Sequence, residues 1–235
     1  MKDPLLLSVP DYLFRENGIP PLMVLEIQQL LPTYFSNANG GQSDVWLKDL
    51  RIEKGDLIEI VAPSGSGKTS LIHFLYGMRA DYNGKIMYDL KDIRPFDHET
   101  LAQYRKAHIS IVFQDMRLFY GQTVRQNIEI KRQLAPFHEK DMISEMASQL
   151  GITEKLDALC GTCSYGEQQR IAIIRSLMQP FDILLLDEPF SHLDIKNSEK
   201  AMTLILGEVA KRKATIVFAD LERTNFYPYT KLFHL

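Results

Sequence analysis

The residues with the most chemistry in them fall in one nine-residue stretch, Ala62-Pro63-Ser64-Gly65-Ser66-Gly67-Lys68-Thr69-Ser70. Closely spaced glycines let the backbone turn its N–H groups inward, and inward N–H groups hold anionic oxygens. Lys68 adds a point charge that can reach β- and γ-phosphates, and the Thr69 hydroxyl suits Mg²⁺. Such a loop becomes a phosphate cradle only between a strand and a helix; elsewhere it is an ordinary turn. Residues 56–61 alternate as a strand, and 71–76 read as the first turns of a helix. The stretch therefore has the context it needs. Ala62 stands where the usual pattern opens with glycine.

A second stretch, Ile183-Leu184-Leu185-Leu186-Asp187-Glu188-Pro189, ends an apolar strand with two carboxylates. Ligands of open α/β sheets bind at the carboxyl ends of strands. Asp187 is placed to hold Mg²⁺ and Glu188 to take a proton from an attacking water. A capping pair before Pro189 is the plainer alternative. Gln114 follows the apolar run 109–113, and its amide suits contact with Mg²⁺ and water. Ser164 precedes a helix with Glu167 three residues on, which is the spacing of a capping box and also of a helix N-terminus open to an anion. The cradle already serves one phosphate, so this second anion site suits a nucleotide on another copy.

These residues need a scaffold, and the chain has length enough for one large α/β domain: 235 residues with a net charge of −3. That charge gives no sign of wholesale nucleic-acid binding. The two cysteines, Cys160 and Cys163, lack a second pair and read as reduced thiols rather than a zinc site. No stretch reaches the ~20 apolar residues of a membrane span, so a soluble protein is expected. Residues 1–22, rich in Pro and Leu, read as an N-terminal arm, and 23–235 as the domain proper. Residues 24–27 and 45–52 read as antiparallel strands, with a turn at 37–41. Asn83-Gly84 reads as a turn before a strand at 85–88. Continuous apolar runs at 109–113 and 183–186 mark strands buried on both faces. Amphipathic helices at 123–130 and 139–150 interrupt the strand–helix alternation and predict an inserted helical subdomain over about 115–165. Further helices are expected at 99–106, 171–178 and 199–211, a strand at 215–218 and an edge strand at 231–234.

Taken together, the motifs resemble the ATP-binding subunit of an ATP-binding cassette (ABC) transporter. APSGSGKTS is similar to a Walker A loop, ILLLDEP to a Walker B strand, CSYGEQQR to the signature segment, and SHLD at 191–194 to the D-loop. Gln114 occupies the Q-loop place, and Leu31-Pro32-Thr33-Tyr34 resembles the segment carrying the adenine-stacking aromatic. The alternative for Tyr34 is a core or strand-paired tyrosine. The segments 112–118 and 166–170 look most like the branch of lipoprotein-release, macrolide-export and cell-division ATPases.

The resemblance implies an α/β P-loop core with an antiparallel β-subdomain and an inserted helical subdomain, and ATP and Mg²⁺ as ligands. It implies nucleotide contacts at 62–70, Ser164, Gly166, Glu167 and Asp194. It further implies a head-to-tail dimer with a second copy or a homologous subunit, and an integral membrane permease-type partner reached from the cytoplasmic face. Leu118-Phe119-Tyr120 is the candidate docking segment, with core packing as its alternative. A soluble ABC ATPase of DNA-repair or ribosome type would carry a coiled-coil insertion or second cassette, and neither is seen in this sequence. In the family a histidine near the end of the penultimate strand contacts the γ-phosphate, and the resemblance puts Ala219 there. Tyr165 replaces a signature glycine. Slow hydrolysis, or a nucleotide-gated module in which hydrolysis is impaired, is therefore an expectation.

Overall fold

Strand periodicity sorts the buried residues into two cores on either side of one parallel sheet. The structure, a computed structural model, describes residues 21–35 and 43–235. The expected arm at 1–22, apart from its last two residues, and the turn at 37–41 lie outside the described residues. The parallel sheet runs in the order β6 (Ile109–Val112), β7 (Ile183–Asp187), β8 (Thr215–Asp220), β3 (Leu57–Val61), β9 (Lys231–His234). β9 lies at the sheet's edge, as its sequence suggests. Along β7 and β8, Leu184, Leu186, Ile216 and Phe218 join one apolar cluster, and Ile183, Leu185, Val217 and Ala219 join the other. This period-2 division explains why the strands read as unbroken apolar runs.

The first core is covered by α3 (Val124–Leu134), α4 (Met142–Gln149), α5 (Tyr165–Leu177) and α6 (Ile195–Arg212). α3 and α4 pack on each other and on α5, and they come from the expected insertion. The second core lies beneath α1 (Lys68–Leu75) and the antiparallel sheet. That sheet runs β2 (Asp49–Glu53), β1 (Val24–Pro32), β4 (Tyr82–Tyr88), β5 (Lys91–Asp92), and α2 (His98–Ala107) leads from it into β6.

Three local readings are corrected. Asn83-Gly84 is inside β4, not a turn before it. The β1–β4 register shifts between Gln28 and Leu31, with Gln29 at φ 50°. Gly84 sits against this bulge at φ 88°, where a Cβ would lie 2.3 Å from the Gln29 carbonyl oxygen. Next, 45–48 is not strand. Ser43 Oγ accepts from the Val45 and Trp46 N–H groups at 3.0 and 2.9 Å, which curls the chain and drives Trp46 inward. Finally, α6 begins four residues before its expected start because Asp194 caps it, accepting from Asn197 N–H at 2.8 Å.

Candidate functional site

The loop between β3 and α1 follows its glycines. Gly65 and Gly67 take φ of 82° and 96°, the left-handed region that side chains resist. Gly67 has a second reason to be glycine, because a Cβ there would stand 2.9 Å from Trp46 and 3.3 Å from Phe35. Ala62 is absent from the left-handed residues, and its methyl group is buried. The departure from glycine at this place therefore costs no strain. The Ala62 N–H donates to the Asp220 carbonyl at 3.1 Å, and Pro63 has no N–H. These two residues serve the cradle through their carbonyls instead, accepting from Lys68 Nζ at 2.7 and 3.2 Å.

Lys68 is buried and also faces Glu188, with Nζ 3.5 Å from Oε1. Glu188 follows β7 directly in a left-handed conformation, φ 45°, its N–H donating to the Ala219 carbonyl at 2.9 Å. Gln114 Nε2 donates to Glu188 Oε2 at 3.1 Å, and the Thr69 hydroxyl donates to Gln114 Oε1 at 3.3 Å. Gln169, reaching across from α5, donates to the Glu188 carbonyl and to Ser191 Oγ, each at 3.2 Å, and accepts from His192 N–H at 2.8 Å. Sequence reading missed Gln169 as a support for Glu188; its two-residue separation from Glu167 carries no signal of that contact.

Asp187 is fully buried and neither of its oxygens has a hydrogen-bond partner among the described residues. Burial pushes its carboxyl up to about 6, with the Thr69 side chain pulling the other way and Glu188 adding to the rise. An orphaned carboxylate beside a hydroxyl and an amide oxygen is a donor set that fits a hard divalent cation. Thr69, Gln114 and Asp187 would hold Mg²⁺.

Tyr34, Phe35, Ser64, Gly65, Gly67, Lys68, Thr69, Ser70, Gln114 and Glu188 line an open cleft of about 250 Å³. Tyr34 is half exposed on its rim, not in a core. Ser66 is near the cleft but turned inward; its carbonyl accepts from Trp46 Nε1 at 3.2 Å. Ser164, Gly166, Glu167 and Asp194 are not in this cleft. Ser164 and Glu167 close a capping box on α5, with Ser164 N–H donating to Glu167 Oε2 at 2.7 Å. Gly166 lets α5 approach the 191–194 turn, since a Cβ would lie 2.9 Å from the His192 carbonyl oxygen. Tyr165 is exposed, its ring 5.3 Å from His192, so glycine is required at 166 but not at 165.

Ala219 is not among the residues that line the cleft. It is fully buried in the apolar cluster, in register with Asp187 on β7. The next residue, Asp220, is the one that shares the field of Glu188 and Lys68. Burial raises its carboxyl, the Leu221 N–H lowers it by a 2.7 Å hydrogen bond, Glu188 raises it and Lys68 lowers it. Asp220 is therefore a second candidate, beside Ala219, for the place of the expected γ-phosphate contact. Strand alternation puts these two side chains on opposite faces of the sheet.

A family model described as ABC transporter matches residues 48–191. The ATP-binding protein YvcR of Bacillus subtilis, described as an uncharacterized ABC transporter, is 32% identical over 206 residues, covering 86% of this chain and 79% of that protein. LolD of Colwellia psychrerythraea, the ATP-binding protein of a lipoprotein-releasing system, is 29% identical over 86% of this chain and 80% of its own. MacB of Marinobacter nauticus, a macrolide export ATP-binding/permease protein, is 32% identical over 72% of this chain, which spans only 27% of MacB. Among solved structures, the dimeric MJ0796 cassette in a post-hydrolysis state with ADP and Pi superposes with a TM-score of 0.73 at 23% identity, over 84% of this chain and 88% of that one. At that identity the likeness is one of fold.

Proposed function

The chain belongs to the ABC transporter family, and from that we propose that it is an ATP-binding and ATP-hydrolysing subunit driving a separate membrane partner. The observation that carries this reading is the convergence of Lys68, Thr69, Gln114 and Glu188 on one cleft, backed by the unpartnered Asp187 carboxylate. ATP is held with its base toward Tyr34 and its phosphates in the loop formed by Ser64, Gly65, Ser66, Gly67, Lys68, Thr69 and Ser70. Mg²⁺, when bound by Thr69, Asp187 and Gln114, supplies neutralisation of phosphate charge. Lys68 exchanges the Ala62 and Pro63 carbonyls for phosphate oxygens, which also releases Glu188 to act as base toward a water. Gln114 spans Thr69 and Glu188 and so links the metal side of the site to the base.

Ser164, Gly166, Glu167 and Asp194 lie outside the cleft and are available to a second copy, which supports a head-to-tail dimer. No described helix is long and apolar enough to cross a membrane. The membrane-crossing part is assigned to a permease-type chain met on the cytoplasmic face, with exposed Phe119 and Tyr120 as the docking patch. Asn127 fixes that patch, its Oδ1 accepting from Phe119 N–H at 2.8 Å and its Nδ2 donating to the Phe119 carbonyl at 3.0 Å. Nucleic acid is not among the proposed partners. Slow hydrolysis is the second reading, favoured by the carboxyl of Asp220 beside Lys68 and Glu188.

Lys68→Ala is the direct test. Loss of a charge-assisted contact worth about 1.5–3 kcal/mol lowers MgATP affinity roughly tenfold to hundredfold in equilibrium titration. Native affinity in that variant would overturn the cradle.

A further inference from the structure

The aromatic rim of the cleft is held by a side chain that phosphate chemistry does not require. Arg79 lies in the turn after α1. Its Nε donates to Asp81 Oδ1 at 2.9 Å, and one terminal nitrogen donates to the other oxygen of the same carboxylate. The second terminal nitrogen donates to Ser70 Oγ at 3.1 Å. That hydroxyl is also hydrogen-bonded to the Tyr34 hydroxyl. The guanidinium carbon stands over the Tyr34 ring, 5.6 Å from its centroid, and over Phe74 at 5.4 Å. Phe35 meets the Tyr34 ring edge-on, with centroids 5.1 Å apart and planes at 86°.

We propose that Arg79, acting through Ser70, is a positioning residue that fixes Tyr34 in the pose that receives the nucleotide base. This rests on the nucleotide reading of the cleft. Tyr34 is 53% exposed on a turn, where an unheld side chain spreads over rotamers and must be ordered when the base arrives. Here the hydroxyl is tied to Ser70 and one side of the ring is covered by the guanidinium. Asp81 engages Arg79 through both oxygens, and Arg79 in turn holds the Asp81 carboxyl below its ordinary range. The cation is thus committed to the rim rather than offered to the phosphates. Asp81 is itself fixed, because its carbonyl accepts from Thr33 N–H at 2.9 Å, one residue before Tyr34. Ser70 follows Thr69 directly, so the same hydroxyl connects the base end of the cleft to the turn that holds the phosphates.

The test measures two ligands, MgATP and magnesium tripolyphosphate, which lacks the base. Arg79→Ala lowers ATP affinity about threefold to tenfold, the ordering cost of one side chain, and leaves tripolyphosphate unchanged. In a Tyr34→Ala background the same substitution has no further effect on ATP, since the ring it positions is gone. Arg79→Gln, measured alone and in the same Tyr34→Ala background, gives the same cycle should Arg79→Ala fold poorly. Equal loss for both ligands, an unchanged ATP affinity, or an additive effect in the Tyr34→Ala background would each overturn the assignment. A native protein that binds neither ligand would instead bring down the nucleotide reading, and this one with it.

Discussion

Two clusters of buried charge lie on opposite faces of this molecule, and they solve burial in opposite ways. In the cleft, Asp187 has no hydrogen-bond partner and its carboxyl is pushed up to about 6. Behind the first core, Glu208 of α6 is equally buried, yet its carboxyl is held down to about 2. Burial alone would raise Glu208, but His138, Lys211 and Arg212 outweigh it. Arg212 donates to the Glu208 carboxylate at 2.5 Å and to the Leu177 carbonyl at 2.9 Å, and its guanidinium lies between the rings of Phe137 and Phe181 at 3.8 and 4.4 Å. In the second cluster both Glu208 oxygens are paired, and the cluster ties the α3–α4 connection to α5 and α6. The first is incomplete, and an incomplete buried cluster calls for a ligand.

Breaking the paired cluster has the larger effect. Glu208→Gln leaves the Arg212 charge uncompensated and destabilises the fold by about 3–5 kcal/mol in urea unfolding. The sign with pH follows from a depressed folded value. Glu208 contributes fully above its ordinary value of 4.5, and that contribution is lost as pH falls toward 2. ATP affinity of the folded fraction stays native. A variant as stable as the native protein at neutral pH would remove the scaffold role.

The incomplete cluster responds with the opposite sign. Asp187→Asn removes a buried charge with no partner, so the ligand-free protein gains stability while Mg²⁺-dependent ATP binding is lost. A carboxyl moved from 3.8 to about 6 corresponds to roughly 3 kcal/mol. Because the folded value is raised, the native protein holds this proton more tightly than its unfolded chain. The penalty is absent below about pH 4, grows as pH rises, and is complete above about pH 6. Unfolding of native and variant protein compared across that range checks it. A destabilised Asp187→Asn at neutral pH would show that Asp187 is a scaffold residue like Glu208.

The sequence made the site more legible than its surroundings. Gly65, Gly67, Lys68, Thr69, Asp187 and Glu188 are contiguous motifs, and the structure brings them together because β3 and β7 end on the same side of one sheet. The apolar runs gave away the parallel strands, and Ser164 with Glu167 marked the cap of α5, although the helix starts at 165 and not at the expected 171. What failed was local and depended on distant partners. Gly84 needed the bulge at Gln29 to be understood, and the curl at 45–48 needed the Ser43 side chain. Arg79 and Gln169 act through residues 9 to 45 positions away or through a different element, which no spacing rule reaches. Glu208 and Arg212 carry no mark along the chain beyond their i, i+4 spacing, because burial by Phe137 and Phe181 is invisible there.

Asp220 is the intermediate case, and it gives the smallest and most informative effect. Its carboxyl is partly buried where that of Asp187 is fully so, and it has one partner, the Leu221 N–H at 2.7 Å. It also lies in the field of both Lys68 and Glu188. In the family that the chain belongs to, a histidine at this end of the strand contacts the γ-phosphate. An ionised carboxylate there repels the phosphate, while an imidazole N–H can donate to it. Asp220→His should therefore raise steady-state ATPase turnover of the assembled complex. One added charge-assisted hydrogen bond, taken at about 1.5 kcal/mol, corresponds to roughly tenfold. Ala219→His should not do so, because that side chain points into the apolar cluster beneath α1 and the substitution overfills it. Turnover that rises with Ala219→His and not with Asp220→His would reverse the assignment of faces on β8. A native enzyme that is already fast and indifferent to both substitutions would end the reading of slow hydrolysis.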